Sequence, residues 1–389
     1  MIARDLGPIL LEWATQYPVV TLTGPRQSGK TTLVKSLFSG HHYISLEDPD
    51  QRAFAREDPR GFLARVNDGA ILDEIQNVPE LASYLQSAVD SRSDPGRFIL
   101  TGSRQFELME SVSQSLAGRT AIGRLLPFSV RELYGATPAV DLPPLDVMLQ
   151  TGFFPRIHDR KLRPSEALSF YLSTYLERDV RQLLRVSDLG LFERFLRLAA
   201  GRTGQLLNSS ALGSEVGVSH NTIRQWLSIL ETSHIIKLLA PWSANLGKRL
   251  VRTPKLYFLD TGLAAALWGV TEPSQLASHP LRGALFETFV IGEALKARFN
   301  RGETDNLFFY RDHAGHEVDL LMEYGDGIDL IEIKSARTIH AEFLTGMEYF
   351  HSRVRPARRR LLVHGGDDAP HTRSGALVVP WHLAGSQFH

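Results

Sequence analysis

The chain of 389 residues carries 43 Lys and Arg against 43 Asp and Glu, and it contains no cysteine. This composition excludes disulfide bonds and thiolate metal sites, and the zero net charge leaves any contact with nucleic acid to local basic patches. The length predicts roughly two or three domains. Because no apolar stretch is long enough for a membrane-spanning helix, we expect a cytoplasmic protein without membrane contact.

The first motif along the chain is a glycine-rich loop between a predicted strand at 19–22 and a predicted helix at 31–38. Its sequence fits the phosphate-binding pattern G-x-x-x-x-G-K-[ST], in which backbone N–H groups and the helix N-terminus attract phosphate. In this pattern Lys30 reaches the terminal phosphates and Thr31 offers its hydroxyl to Mg²⁺. The predicted nucleotide-binding residues are Gly24, Pro25, Arg26, Gln27, Ser28, Gly29, Lys30, Thr31 and Thr32.

Two further apolar runs end in polar side chains. The run 69–72 precedes Asp73 and Glu74, and the run 97–101 precedes Ser103. Strands of a parallel sheet end at one edge, where Asp73 is predicted to hold Mg²⁺ and Glu74 to polarise the attacking water. Ser103, or alternatively Thr101, is predicted to orient that water or to contact the γ-phosphate. The other interpretation is that Ser103 only caps a helix.

Arg119 follows Ser103 by sixteen residues, and Arg124 lies a little further on; of the two, we assign the following role to Arg119. An arginine at this place can reach the nucleotide of a neighbouring subunit and neutralise charge in the transition state, which would favour a homo-oligomeric ring. The alternative is an ordinary surface arginine.

Apolar runs at 18–23, 43–46, 69–72, 97–101 and 121–126 alternate with helical segments. This alternation predicts an α/β fold in which helices cover both faces of a parallel sheet. A proline-rich break at 137–144 separates this region from a helical stretch at 145–231.

These motifs together resemble a prokaryotic family that couples an AAA-type P-loop ATPase to a C-terminal region of poorly defined function. The resemblance implies that ATP and Mg²⁺ are bound and that ATP is hydrolysed. It extends over nearly the whole chain, and the phrases that carry it lie at residues 24–32, 72–76, 100–103, 116–119, 126–129, 175–180 and 258–263.

A helix-turn-helix pattern covers 209–233, and two apolar runs at 235–239 and 255–259 are predicted to form the strands of a wing. As a DNA-binding module, it would present exposed side chains of the second helix to a groove and wing cations to phosphates. These residues are His220, Asn221, Arg224 and Gln225, with Lys248, Arg249 and Arg252 in the wing. Alternatively, the winged helix serves only packing or domain contacts.

The C-terminal third contains Glu287 in a helical run, Asp319 in a strand, and Glu332 and Lys334 on one face of the next strand. A hairpin would bring Asp319 close to this pair. The order of these residues resembles the PD-(D/E)xK nuclease core. This resemblance implies that the carboxylates hold a second divalent metal, Mg²⁺ or Mn²⁺, and that Lys334 holds the attacking water or stabilises charge at the scissile phosphate. Cross-strand ion pairs on an ordinary sheet explain the same residues.

We therefore predict four parts. They are an AAA-type P-loop ATPase domain (1–136), a helical lid and linker (137–204), a winged helix (205–270) and an α/β nuclease-like domain (271–389). Three functions stay open at this point: an ATP-driven enzyme that processes DNA, an ATP-controlled switch or scaffold that binds DNA or protein without cutting, and a remodeller of protein partners.

Overall fold

The computed structural model of the chain describes residues 2–103, 114–135, 142–175, 189–244 and 253–388. The predicted wing cations Lys248, Arg249 and Arg252 lie outside these residues. The chain divides into two compact units. One contains the chain up to Phe128 with Thr232–His234 and Arg298–Thr304, and the other contains Ser129–Glu231, Ile235–Ala297 and Asp305–His389.

The first unit contains a five-stranded sheet in the order β2-β3-β4-β1-β5, in which every pairing is parallel. Its strands are β1 (Val19–Thr23), β2 (His42–Ser45), β3 (Ala70–Asp73), β4 (Phe98–Gly102) and β5 (Thr120–Arg124). Its helices are α1 (Gly7–Ala14), α2 (Lys30–Leu37), α3 (Pro49–Glu57), α4 (Pro59–Ala64) and α5 (Leu81–Ser91). The predicted α/β fold with a parallel sheet is therefore confirmed.

Alternating residues of the central strands supply two cores, one on each face of this sheet. Leu72 and Leu100 pack with Leu81 and Leu85 of α5, whereas the opposite side chains pack with α1 and α2. The second core includes Leu10, Val20, Leu33, Val34, Ile71 and Ile99. Because consecutive side chains of a strand point to opposite faces, near-continuous apolar runs are the expected pattern for such a two-sided sheet.

The second unit begins with helices and ends mainly with strands. Its helices are α6 (Val130–Tyr134), α7 (Leu145–Thr151), α8 (Pro155–Arg160), α9 (Pro164–Tyr175), α10 (Leu189–Ala200), α11 (Ser209–Val216), α12 (His220–Thr232), α13 (Thr261–Leu267), α14 (Arg282–Phe299) and α15 (Thr345–Tyr349). Its strands are β6 (Gln205–Leu206), β7 (Ile236–Pro241), β8 (Lys255–Phe258), β9 (Leu307–Arg311), β10 (Glu317–Tyr324), β11 (Gly327–Lys334), β12 (Arg359–His364), β13 (His371–Arg373) and β14 (Ala376–Pro380).

These strands form one sheet in the order β13-β14-β12-β11-β10-β9-β7-β8-β6. The predicted hairpin is present, with Leu320 of β10 opposite Ile331 of β11. The predicted boundary between residues 270 and 271 falls inside this sheet, because β7 pairs with β9 through Ala240 and Phe308. The four-part division therefore stays a prediction.

The helix-turn-helix pattern corresponds to α11 and α12, which are separated by Gly217 in the left-handed conformation. Strands β7 and β8 follow and pair antiparallel. On α12, Ile223, Trp226, Leu227 and Leu230 are buried. Among the described residues, no helix combines the length and the apolar character needed to cross a bilayer.

Asp260 joins two loops of the second unit. Its buried carboxylate accepts hydrogen bonds from the backbone N–H of Leu263 (2.9 Å), at the start of α13, and of Phe153 (2.7 Å), just after α7. A Cβ at Gly152 would lie 2.3 Å from Asp260 Oδ1, so glycine is required for this close approach. Two distant parts of the chain, 152–155 and 258–263, are thus linked by one side chain.

We predict that Asp260→Ala lowers the free energy of unfolding by about 2–4 kcal/mol, because two buried N–H groups lose their acceptor. Asn208→Ala removes the exposed cap of α11 and is expected to cost only about 1 kcal/mol. Urea unfolding followed by circular dichroism compares the two variants. If both variants lost the same free energy of unfolding, the role assigned to Asp260 would be wrong.

Candidate active site

The glycine-rich loop connects β1 to α2 and depends on glycine at both ends. Gly24 has φ +149°, and a Cβ there would lie 2.1 Å from the carbonyl oxygen of Leu125. Gly29 precedes the helix with φ +92°. Only glycine adopts these positions without strain, so the loop stays close to the end of β5 and turns its backbone toward the N-terminus of α2.

Lys30 and Ser28 are both buried within this loop. The Lys30 Nζ donates to the carbonyl oxygens of Gly24 (2.9 Å) and Pro25 (2.8 Å). The buried Ser28 Oγ has no hydrogen-bond partner among the residues that the structure describes. A buried polar atom without a partner is costly, and here it lies in the loop that the sequence predicts to hold phosphate.

Asp73, at the end of β3, accepts hydrogen bonds from three hydroxyl groups. The Thr31 hydroxyl lies 3.1 Å from Oδ2, the Tyr43 hydroxyl lies 2.7 Å from the same oxygen, and Thr101 donates to Oδ1. Burial raises the pKa of Tyr43, and its hydrogen bond to Asp73 raises it further. The structure thus brings the predicted metal residues Thr31 and Asp73 together and adds Tyr43, which the sequence patterns did not indicate.

Glu74 follows in a left-handed backbone conformation, with φ 58° and ψ 46°. Ser103 Oγ donates to its carboxylate at 2.9 Å, and the Gln76 side chain also donates to it. Burial alone would raise the pKa of Glu74, but the charge of Lys30 and these hydrogen bonds hold it below its ordinary value. The carboxylate is therefore ionised at neutral pH and fixed beside the end of β4.

Arg119 is separately engaged. Its guanidinium forms two hydrogen bonds with Asp90, at 2.6 Å and 2.9 Å. Both side chains are partly exposed. Any contact between Arg119 and a bound nucleotide requires this ion pair to open.

Arg4 is a residue at this loop that sequence reasoning missed. Its guanidinium donates to the carbonyl oxygens of Ser28 (2.8 Å) and Leu126 (2.6 Å) and lies 4.7 Å from the centre of the Phe128 ring. Arg4 therefore fixes the glycine-rich loop to the segment after β5. A single arginine before a helix carries no motif that would have revealed this contact.

We predict that Arg4→Ala accelerates amide hydrogen exchange in residues 24–29 by roughly tenfold, because two charge-assisted hydrogen bonds to the backbone are lost. Arg56→Ala is the matched control, since Arg56 also donates to a backbone carbonyl, that of Asn77. Exchange followed by mass spectrometry distinguishes them. Unchanged exchange at 24–29 in Arg4→Ala would rule out the anchoring role.

The predicted C-terminal residues also lie together. Lys334 Nζ contacts the carboxylates of Asp319 (3.2 Å) and Glu332, and the backbone N–H of Ile333 donates to Asp319 at 2.8 Å. Burial raises the pKa of Glu332, and the charge of Asp319 adds to this effect. The hairpin therefore brings the three strand residues together as expected.

Glu287 joins this group together with a lysine that was not predicted. Lys255 Nζ lies 3.1 Å from Glu287 and 2.6 Å from Glu317, and the Tyr257 hydroxyl donates to Glu287. Burial raises the pKa of Glu287, as does the charge of Asp319. We call the carboxylates of Glu287, Glu317, Asp319 and Glu332 the C-terminal acidic cluster.

The carboxylates of this cluster do not fit the coordination of a divalent metal. Oxygens of these carboxylates accept hydrogen bonds from Lys255, Lys334, Tyr257 and a backbone N–H. Glu332 Oε2 is buried and has no hydrogen-bond partner among the residues that the structure describes. In the described parts of the chain, there is no group of three or more His, Asp or Glu side chains that could hold a metal ion.

Three family descriptions match the chain. Residues 16–134 match an AAA domain, residues 144–274 match a domain of unknown function, DUF8612, and residues 282–384 match a second domain of unknown function, DUF4143. The five-stranded sheet with its glycine-rich loop lies in the AAA match.

Two mycobacterial proteins are similar over most of the chain. Uncharacterized protein Rv2008c of Mycobacterium tuberculosis and uncharacterized protein Mb2031c of Mycobacterium bovis are each 33% identical over 337 residues, which is 86% of this chain and 74% of theirs. Among solved structures, the Walker-type ATPase PABY2304 of Pyrococcus abyssi aligns with 69% of this chain and 96% of its own, at 17% identity and a TM-score of 0.48.

Proposed function

The chain belongs to the same family as Rv2008c and Mb2031c and contains an AAA domain of the P-loop ATPase class, and from this premise we propose that it hydrolyses ATP to control a DNA-binding C-terminal part. The observation that carries the proposal is the meeting of the glycine-rich loop, Asp73, Glu74 and Ser103 at one edge of the parallel sheet. Ligands of open α/β sheets bind at this carboxyl edge.

The loop supplies the groups that bind the phosphates. Backbone N–H groups of residues 24–32 surround the phosphates, and the N-terminus of α2 favours their negative charge. Lys30 exchanges the carbonyl oxygens of Gly24 and Pro25 for phosphate oxygens, which are stronger acceptors because they are charged. Among the described residues, the buried Ser28 Oγ has no hydrogen-bond partner, which supports this proposal because the hydroxyl can donate to the same anion.

Thr31 and Asp73 fit a magnesium ion. Their oxygens lie 3.1 Å apart at the end of β3, and hydroxyl and carboxylate oxygens are the ligands that Mg²⁺ prefers. When bound, the ion would neutralise charge on the β- and γ-phosphates. Thr101 and Tyr43 hold the Asp73 carboxylate in position by their hydrogen bonds.

Glu74 is proposed as the group that accepts a proton from the attacking water. A general base must be ionised and must lie within hydrogen-bond reach of the water, and the lowered pKa of Glu74 supports the first condition. Ser103 positions this carboxylate through its 2.9 Å hydrogen bond, and after ATP binding the same hydroxyl is available to the water or the γ-phosphate.

We predict that Lys30→Ala weakens ATP binding by on the order of tenfold or more, because the phosphates lose their nearest cation. Glu74→Gln should bind ATP normally but lower turnover by about 10²- to 10⁴-fold, because an amide cannot accept the proton. Equilibrium binding of a fluorescent ATP analogue and phosphate release measure the two effects.

Glu57→Gln is the matched control for the carboxylate substitution, because Glu57 is exposed on α3. It should leave binding and turnover unchanged. Hydrolysis by Glu74→Gln at the rate of the parent protein would overturn the assignment of the base.

We also propose that Arg119 acts on the nucleotide of a neighbouring subunit in a ring. Arg119 lies just before the start of β5, and its support is its exposure, because an exposed ion pair such as Arg119 with Asp90 opens at little cost. When two subunits meet, Arg119 would leave the Asp90 carboxylate and contact the negative charge that develops on the neighbouring subunit's phosphates in the transition state.

DNA contact is proposed for the exposed face of α12. His220, Asn221, Arg224 and Gln225 are all exposed there, whereas the opposite face of the helix is buried. The second helix of a helix-turn-helix, when its exposed face is polar, can enter a major groove. The winged-helix assignment, the four domain boundaries and the cytoplasmic location belong to this proposal as well.

We predict that Arg224→Ala weakens binding to duplex DNA by about three- to tenfold and lowers the slope of log affinity against log salt by about one, because one phosphate contact is lost. Arg194→Ala is the control, since Arg194 is an exposed arginine of α10 in the same unit. Fluorescence anisotropy with a labelled duplex at several KCl concentrations measures both. Equal losses in the two variants would exclude α12 as the contact.

The sequence also predicts metal-dependent DNA cleavage, and the residues behind this prediction, Glu287, Asp319, Glu332 and Lys334, do lie together. The donor set does not fit a metal ion, and we therefore derive no cleavage step. The remodelling of protein partners becomes the preferred function if DNA neither binds nor alters the rate of ATP hydrolysis.

A further inference from the structure

The C-terminal acidic cluster contains more negative charge than a protein interior accommodates by itself. Glu287, Asp319 and Glu332 are largely buried, and Glu317 is half-buried beside them. Buried carboxylates at short range repel one another and require cations or protons. The identity of the cation therefore decides what this cluster can do.

Lys255 is the cation at one end of the cluster. Its side chain is only 5% exposed, and its Nζ bridges Glu287 and Glu317 at 3.1 Å and 2.6 Å. Its backbone is held from both sides, because Lys255 pairs with Leu239 of β7 and with Leu206 of β6. The ammonium is thus held in place by a strand that lies inside the sheet.

Lys334 is the cation at the other end. It bridges Asp319 and Glu332, so that each of the two lysines serves two carboxylates. One oxygen of each of the four carboxylates is directed at an ammonium group. A metal ion entering between Glu287 and Glu317 would have to displace the Lys255 ammonium.

We propose that Lys255 is a built-in cation that takes the place of a divalent metal in the C-terminal acidic cluster, so that this part of the protein is stabilised without metal and acts by binding rather than by metal-dependent cleavage. Lys255 is contributed by β8, outside the residues that resemble the nuclease core. The proposal concerns only the second unit, and it holds whether or not the first unit hydrolyses ATP.

The test measures how many Mn²⁺ ions bind to the nucleotide-free protein, by electron paramagnetic resonance of free Mn²⁺. The parent protein and its Asp319→Asn variant are expected to bind the same number of Mn²⁺ ions, because the acidic cluster of the parent holds no metal. In Lys255→Met, which removes the ammonium but keeps an apolar side chain of similar length, one additional Mn²⁺ should bind and should be lost again on Asp319→Asn. Mn²⁺ should also raise the melting temperature of Lys255→Met but not that of the parent.

Lys237→Met is the matched control. Lys237 lies on the adjacent strand β7 and contacts the carboxylates of Glu231 and Asp305, so its loss also removes a lysine that bridges two acids. It should gain no Asp319-dependent Mn²⁺. If Lys255→Met folds only when Mn²⁺ is present, the proposal is supported, because the metal then replaces the ammonium.

Two results would overturn the proposal. One is a parent protein that already binds a Mn²⁺ ion removed by Asp319→Asn, a measurement that does not depend on the folding of any Lys255 variant. The other is a Lys255→Met protein, folded or not, that neither binds nor is stabilised by Mn²⁺.

Discussion

The common direction of β1, β3 and β4 is the constraint on which the chemistry of the first unit depends. Because these neighbouring strands run parallel, the glycine-rich loop, Asp73 and Ser103 meet at one edge although they are far apart in sequence. The two cores on the faces of the sheet fix the strands. Hydroxyl groups from three elements then orient Asp73, so the site is preorganised by the sheet itself.

The two units use lysine and carboxylates in different ways. Lys30 lies at the start of a helix and donates to carbonyl oxygens, which are weaker acceptors than phosphate. Lys255 lies within a sheet and donates to two carboxylates, which already satisfy its charge. The first lysine is therefore suited to receive an anionic ligand, whereas the second is suited to hold the fold together.

Much of this architecture was predictable, because apolar runs that end in polar residues mark the strands and their edge. The partners across the sheet were not predictable. The contacts of Tyr43 and Lys255 with their carboxylates follow from the order of the strands, and neither residue belongs to a motif that would have indicated them. The polar segment 366–375 contains β13, because Ser374 and Gly375 adopt positive φ and form a tight hairpin turn.

The most direct test of ATP binding at the glycine-rich loop is a crystal structure with Mg²⁺ and a non-hydrolysable ATP analogue. We expect Lys30 Nζ to leave the carbonyl oxygens of Gly24 and Pro25 for the β- and γ-phosphates. We also expect Ser28 Oγ to gain a phosphate partner and Glu74 to lie beside the water that faces the γ-phosphate. ATP binding at this loop would be ruled out if no nucleotide is bound at saturating concentration and Lys30 still donates to its own carbonyl oxygens.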